Sequence, residues 1–288
     1  MTDYAALTGP VPRITLASFL CSISIIEYTI PQIVRLSKSS AKPLQAIPAI
    51  PRFALLSRNI VPQTIITAVQ FGLVRELRDA LDHTLGYSRY NVSLAYGVAS
   101  VPLIAAKYNL IQESTYHHDR TTVNGNSTSS RTSKSNIFTM NGALKFWARK
   151  IQPGLMWSYL RDTGSIGGGI VLGPVVTTKM LDVSNVDKEH AKPYHRFLGG
   201  LFAGCFTGLG TQLFHNTALT AGRIAEVEGR TPGTLECLRA CLREHGVQAL
   251  YVNIRFRVAI IATWTAILNV TEPFDKKEKN RERRLPVS

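Results

Sequence analysis

The sequence has little charge and few cysteines, and it lacks the long apolar runs of an ordinary membrane transporter. Charged residues make up 18 % of the 288 positions, whereas apolar residues make up 45 %. Because a soluble domain carries charge on about a quarter of its residues, this composition favours a membrane protein. It excludes a disordered chain, a coiled coil and a collagen. The four cysteines form no disulfide framework, and Cys237 and Cys241 lack a second ligand pair, so we expect no metal site.

The sequence motifs of common enzymes are also missing. There is no Gly-x-x-x-x-Gly-Lys-Ser/Thr loop, no Gly-x-Ser-x-Gly elbow and no His-Glu-x-x-His helix. We therefore expect no catalytic residues, no enzymatic activity and no cofactor. Lys and Arg outnumber Asp and Glu by 33 to 19, which gives a net charge of +14. These cations flank apolar segments and form no single stripe, so they suit acidic lipid headgroups such as cardiolipin better than nucleic acid.

Six charge-poor windows predict membrane helices. A helix needs ~20 residues to cross the hydrocarbon core, and ~17 is the lower limit, so the shorter windows would rely on Arg and Lys side chains that snorkel at their ends. The windows are residues 14–34, 59–74, 90–106, 151–178, 197–222 and 258–271. A soluble all-α globule is the alternative. An even number of crossings would place both termini on the same side of the membrane.

The windows recur in the order long helix, loop, short amphipathic helix, long helix. We predict a single domain with three such repeats at 13–82, 90–182 and 195–270, a polar loop at 113–140 and a charged tail at 271–288. Gly200, Gly204 and Gly208 share one helix face and predict close contact with a neighbouring helix. Pro31 and Pro102 would each kink a helix and free a backbone carbonyl.

The amphipathic helix of the third repeat has the clearest pattern. Leu235, Leu238 and Leu242 lie on one face of it, and Arg239 and Arg243 lie on another. We expect this helix to lie on a surface.

This threefold pattern resembles the mitochondrial carrier family. Residues 242–251, Leu-Arg-Glu-His-Gly-Val-Gln-Ala-Leu-Tyr, fit the second half of that family's repeat, and Leu160-Arg161-Asp162 resembles the start of its fourth helix. Pro62 and Phe71 resemble positions in its second helix. The resemblance implies an all-α protein of the mitochondrial inner membrane, with six transmembrane helices around a pseudo-threefold axis and short amphipathic surface helices.

The sequence departs from the family at the two ion-pair networks that close its central cavity. In the network on one side of the cavity, none of the family's acidic residues is present, and Lys107 is the one residue that keeps a cation at the position where the family has one. The equivalents of that first network are Pro31, Ile33, Arg35, Pro102, Ile104, Lys107 and His215. On the other side, Phe71 and Arg75 keep the aromatic residue and the cation but lose the acid. We therefore expect that neither network forms.

The adjacent Arg161 and Asp162 are the most conspicuous charges inside a window. By resemblance they fall where the family's fourth helix contacts substrate, with Asn59, Arg255 and Arg257 as candidates on the second and sixth helices. They would either bind a small anion or neutralise partners that hold the helices together.

Two functions follow from these expectations. The first is a carrier-like protein that no longer transports and serves as a structural or accessory subunit of a larger inner-membrane complex, such as a respiratory complex or the ATP synthase. The alternative is an atypical mitochondrial solute carrier that exchanges a small anionic metabolite.

Overall fold

The computed structural model describes residues 52–86, 88–123, 139–187, 191–250 and 252–271. Within these ranges the chain is helical and contains no strand, so the expectation of an all-α fold is confirmed at this level. The first window, with Pro31, Ile33 and Arg35, lies outside the described residues, as do most of the polar loop and nearly all of the charged tail.

Ten α-helices follow one another along the described chain. They are α1 (Arg52–Leu85), α2 (Arg89–Ala95), α3 (Val101–Val123), α4 (Met140–Phe146), α5 (Leu155–Gly167), α6 (Gly173–Val183), α7 (Pro193–Gly210), α8 (Gln212–Glu228), α9 (Thr234–His245) and α10 (Ile254–Thr271). Three π turns, Tyr96–Ser100, Trp147–Ile151 and Gly168–Leu172, extend or join these helices, and a 3₁₀ turn at Gly246–Leu250 follows α9.

Taken singly, none of the described helices is both long enough and apolar enough to cross a membrane. Two bent pairs satisfy the same length and composition requirements jointly. They are Pro193–Gly210 with Gln212–Glu228, and Thr234–Leu250 with Ile254–Ile267. The six membrane crossings and the three repeats remain predictions.

The described chain divides into two compact units, and the first comprises the described parts of 1–163 and 211–253. Its apolar core joins α5, α8 and α9. Trp157 of α5 stacks on Phe214 of α8 with ring centroids 6.0 Å apart, and its indole N–H donates to the Thr234 carbonyl at 2.9 Å. Cys237 of α9 is buried in the same cluster. These contacts attach α9 to the long helices.

The second unit comprises the described parts of 164–210 and 254–288 and contains α6, α7 and α10. Gly200, Gly204 and Gly208 of α7 lie against the backbone of α10. A Cβ atom on Gly204 would come within 2.5 Å of the Ala262 Cα atom, and one on Gly200 within 2.8 Å of the Ala266 Cα atom. Even a methyl group at these positions would force the two helices apart.

Polar side chains are buried and apolar side chains are exposed on α1. Val61, Ile65, Val69 and Leu73 follow one another at four-residue spacing and are each about half exposed or more. Three polar residues, Gln63, Thr67 and Gln70, are buried on the same helix. A helix at the surface of a soluble protein has the opposite arrangement.

The same inversion occurs in the second unit. Phe202, Phe206 and Leu209 of α7 are exposed, whereas Gly204 and Gly208 face α10 and the buried Thr207 lies against Gly168 of the π turn. Contiguous exposed apolar faces of this kind mark surfaces that contact lipid or another protein.

Candidate functional site

Arg161 and Asp162 of α5 form an ion pair with each other. The Arg161 side chain is 1 % exposed, and its Nε and Nη2 atoms donate to Asp162 Oδ1 and Oδ2, both at 2.7 Å. This two-bond geometry is the strongest that a guanidinium and a carboxylate can adopt. The charge of Arg161 is therefore balanced by its neighbour in sequence.

Side chains of α3 and α8 surround this pair. The Arg161 guanidinium carbon lies 4.3 Å from the centroid of the Tyr108 ring, a cation–π contact. Arg161 Nη1 lies 3.5 Å from His215 Nδ1, and the His215 ring packs edge-on against Tyr108. We call Arg161, Asp162, Tyr108 and His215 the Arg161 cluster. It brings His215, which the resemblance to the carrier family would place at a gate position, into contact with Arg161, a candidate substrate residue by the same resemblance.

Lys107 of α3 is also buried, with 1 % of its surface exposed. Its ammonium donates to the Thr67 hydroxyl of α1, and Gln63 Nε2 of α1 donates to the Lys107 carbonyl at 3.1 Å. Ile104, one turn before Lys107, is buried, and Pro102 is half-buried. Lys107 thus joins α3 to α1.

The other candidate residues lie on α1 and α10. Asn59, Phe71 and Arg75 lie in α1. Arg255 is exposed near the start of α10, and Arg257 is buried and donates from Nη2 to the Ser165 hydroxyl at 3.0 Å. Both arginines belong to the second unit.

An ion bridge that the sequence did not suggest links α3 to α8. Lys150 forms salt bridges with Glu113 of α3 and with Glu226 of α8, the latter at 3.2 Å. We call these three residues the Lys150 bridge. They are far apart in the chain, so neither spacing nor motif could indicate the contact.

Asn109 of α3 fastens the turn that leads into α5. Its Nδ2 atom donates to the carbonyls of Lys150 at 2.9 Å and Pro153 at 3.2 Å. The next residue, Gly154, has a φ of +73°, which glycine adopts without strain, and α5 begins directly after it.

The same arrangement occurs again after α9. Asn216 of α8 donates from Nδ2 to the carbonyls of Ala249 at 2.6 Å and Val252 at 3.4 Å. Asn253 follows with a φ of +62°, and α10 begins at the next residue. In both segments an asparagine binds two carbonyls three residues apart, directly before a residue with positive φ and a new helix.

α3 and α8 approach each other closely in the first unit. Gln112 Nε2 of α3 donates to the Leu219 carbonyl of α8 at 2.9 Å. A Cβ atom on Gly222 of α8 would lie 2.0 Å from Gln112 Oε1 and 2.7 Å from Asn109 Oδ1. A side chain at residue 222 would therefore displace the amide groups of Gln112 and Asn109.

The described cysteines of the first unit, Cys237 and Cys241, lie in α9 together with His245. Burial raises the pKa of Cys237 to about 11 and raises the pKa of Cys241, so both thiols are protonated near neutral pH and are poor nucleophiles. Burial is also the main cause that lowers the pKa of His245. Among the described residues, no three His, Cys, Asp or Glu side chains come together where they could hold a metal ion.

Comparison with models of known protein families gives no match for the chain, and comparison with curated proteins gives none either.

Proposed function

We propose that the chain is a carrier-like helical membrane protein that does not transport and acts as a structural or accessory subunit of a larger inner-membrane complex. The observation that carries this proposal is the Arg161 cluster. Arg161 is almost fully buried, and its carboxylate partner is its own neighbour Asp162. A guanidinium that already donates two hydrogen bonds to a carboxylate has fewer N–H donors left for a free anion.

The inverted distribution of side chains supports a membrane location. A lipid bilayer favours apolar side chains on the outside of helices and polar side chains where helices meet. The exposed stripe of α1, from Val61 to Leu73, and its buried Gln63, Thr67 and Gln70 follow this rule. The exposed phenylalanines of α7 follow it in the second unit.

The two asparagine contacts support internal repetition. Asn109 and Asn216 each fasten the turn between a surface helix and the next long helix, and each turn ends in a residue with positive φ. Two copies of one ancestral unit would retain both the asparagine donor and the positive φ of the residue that ends the turn. The resemblance to the carrier family rests on the same order of elements.

The contacts between α3 and α8 support loss of transport. A carrier that alternates between two open states must separate helices at each end in turn, at a free-energy cost that bound substrate repays. Here the Lys150 bridge and the bond from Gln112 to the Leu219 carbonyl join α3 to α8. Gly222 lets the two helices touch, so separation would also expose packed surface.

The alternative, an atypical carrier of a small anion, would require Arg161 to exchange Asp162 for substrate. Lys107 would likewise have to leave Thr67. The burial of both cations supports the structural role instead.

Purification of the tagged protein in a mild detergent tests the proposal. We expect the protein to migrate on native gels with a large complex at a fixed stoichiometry, to be protected from carbonate extraction, and to catalyse no solute exchange in liposomes. Both tagged termini should be cleaved by protease from the same side of the inner membrane.

A monomer that exchanges an anionic solute in liposomes would overturn the proposal. The Arg161→Ala variant then identifies the site, because uptake should disappear in that variant alone. Arg239→Ala is the matched control, since Arg239 is exposed on α9 and lies outside the Arg161 cluster.

A further inference from the structure

A histidine is buried at the end of α9, beside an ion pair that joins this helix to α8. The His245 side chain is 1 % exposed. Arg223 of α8 donates from Nη2 to Glu244 Oε2 of α9, and the same oxygen lies 3.9 Å from His245 Nε2. One carboxylate oxygen thus faces both a guanidinium and an imidazole. We call Arg223, Glu244 and His245 the Glu244 cluster.

The Glu244 cluster lies between two other contacts that fasten this part of the chain. At the start of α9, the Trp157 indole donates to the Thr234 carbonyl at 2.9 Å. In the 3₁₀ turn after α9, the Ala249 carbonyl accepts from Asn216 at 2.6 Å. Gly246, which ends α9 directly after the histidine, has a φ of +54°. The Glu244 cluster therefore holds the last turn of α9 to α8.

The charge of His245 decides how well this contact can form. Burial is the largest cause that lowers the pKa of His245, and the Arg223 charge adds to it, whereas the Glu244 carboxylate opposes both. The imidazole is therefore neutral at neutral pH. An imidazolium in the same position would be repelled by Arg223 and would compete with it for Glu244, and the burial of the ring would keep water from solvating the charge.

The titratable groups one turn away are engaged or neutral. Glu226, three residues after Arg223 on α8, belongs to the Lys150 bridge. Cys241, four residues before His245 on α9, is a protonated thiol that contacts Thr217 and Thr220 of α8. The 3₁₀ turn Gly246–Leu250 has no titratable side chain. Glu244 is therefore the carboxylate for which the arginine and a protonated histidine would compete.

We propose that His245 makes the attachment of the last turn of α9 to α8 sensitive to pH. When the imidazole takes up a proton, residues 242–246 separate from α8 and His245 reaches water. The separated state binds the proton with the ordinary pKa of 6.5, and the attached state binds it more weakly. Attachment is therefore favoured above pH 6.5 and is lost as the pH falls towards the lower pKa of the attached state. The proposal does not depend on the proposed function.

Hydrogen exchange of the full-length protein in detergent tests this proposal. After correction for the intrinsic pH dependence of exchange, we expect protection of the amides of residues 243–246 to fall about threefold to tenfold between pH 7.5 and pH 5.5. The amides of residues 237–240 should keep their protection, because Cys237 and Cys241 remain packed against the first unit.

Two variants and a control assign the effect to the Glu244 cluster. His245→Gln keeps a polar group that stays neutral, so protection of residues 243–246 should not change between the two pH values. Glu244→Gln removes the partner of Arg223, so protection there should already be low at pH 7.5. His83→Gln is the matched control, since His83 is exposed on α1, and it should show the pH dependence of the parent.

Several results would overturn the proposal, and the first two need no variant to fold. They are equal protection of residues 243–246 at both pH values in the parent, and a loss of protection shared equally by residues 237–240, which would mean that α9 detaches or unfolds as a whole. The parent's pH dependence in His245→Gln would exclude His245 as its cause. Full protection of Glu244→Gln at pH 7.5 would show that the ion pair does not hold α9.

Discussion

The Asp162→Asn variant measures how strongly the Arg161 cluster depends on its ion pair. The change keeps the shape of the side chain and removes its charge, which leaves the Arg161 guanidinium buried and uncompensated. The two side chains are 1 % and 14 % exposed, so Arg161 cannot turn to water. Removal of one partner from a buried ion pair costs roughly 3–5 kcal/mol.

We expect the lower end of that range. The amide of the Asp162→Asn variant would still present one oxygen to the guanidinium, and the Tyr108 ring still lies 4.3 Å away. A loss of about 3 kcal/mol corresponds to a fall in the melting temperature of about 6–12 °C, at about 2–4 °C for each kcal/mol. Differential scanning fluorimetry in detergent can measure a shift of this size.

A double-mutant cycle separates the pair from its surroundings. Arg161→Met removes the cation, and Asp162 is more exposed than Arg161, so this variant should lose less stability than Asp162→Asn. The double variant should be no less stable than Asp162→Asn, with a coupling free energy of at least about 2 kcal/mol. Arg239→Met, on an exposed face of α9, is the control and should hardly change the melting temperature.

The opposite result would refute this account of the Arg161 cluster. If Asp162→Asn melts within about 1 °C of the parent and its effect simply adds to that of Arg161→Met, the guanidinium is solvated. A solvated Arg161 belongs in a water-filled cavity, and the anion carrier would then become the better hypothesis.

Three further predictions concern other parts of the two units. Lys150→Met leaves two glutamates facing each other between α3 and α8 without their shared cation, so it should cost about 1–3 kcal/mol, which thermal melts of the variant and the parent will show. Gly204→Ala should lower the melting temperature because its new Cβ atom would lie 2.5 Å from a Cα atom of α10, whereas Gly72→Ala, with no atom within 4 Å, should leave it unchanged or raise it. Burial lowers the pKa of His245 below its ordinary value of 6.5, so the folded state favours the neutral imidazole. The contribution of His245 to stability is therefore present above pH 6.5 and is lost as the pH falls towards the lower pKa of the folded state. Between pH 7 and pH 5, the melting temperature of the His245→Asn variant should fall less than that of the parent.

The long helices could be predicted from the sequence because charge-free windows bounded by cations leave few other structures. The window 59–74 lies inside α1, and 258–271 lies inside α10. Their ends were less predictable. α1 continues to Leu85 through several charged residues, because charge limits burial but does not stop a helix. Window 151–178 was predicted to begin too early, since Pro153 and Gly154 form a turn before α5.

The distortion of the helix before Pro102 could be predicted only in part. A proline predicts a local disturbance of the helix and a carbonyl without its donor. The sequence does not specify whether the helix bends or widens, since neighbouring helices decide that. Here the helix widens over Tyr96–Ser100.

The orientation of α9 could not be predicted from its leucines. Leu235 is 63 % exposed and Leu242 is 41 % exposed, whereas Cys237 and Cys241 are buried. A buried thiol behaves as a small apolar group, so the helix has two apolar faces and the sequence does not say which one packs. The outward leucines then leave an apolar stripe beside Arg239 and Arg243, as a surface helix next to a membrane would need.

The contacts that hold α3 depend on pairs that are distant in sequence, and they bear on the proposal that the chain does not transport. A gate made of ion pairs must break and re-form, and its buried charges are expensive when separated. In α3, Ile104, which the resemblance places at the family's acidic position, is buried, and the Lys107 ammonium donates to the neutral Thr67 hydroxyl. Next to it, Asn109 and Gln112 donate to backbone carbonyls, which no substrate can replace. Substitution of charged contacts by neutral ones can preserve or raise stability, so under the proposed function the loss of a gate would not have to weaken the contacts of α3.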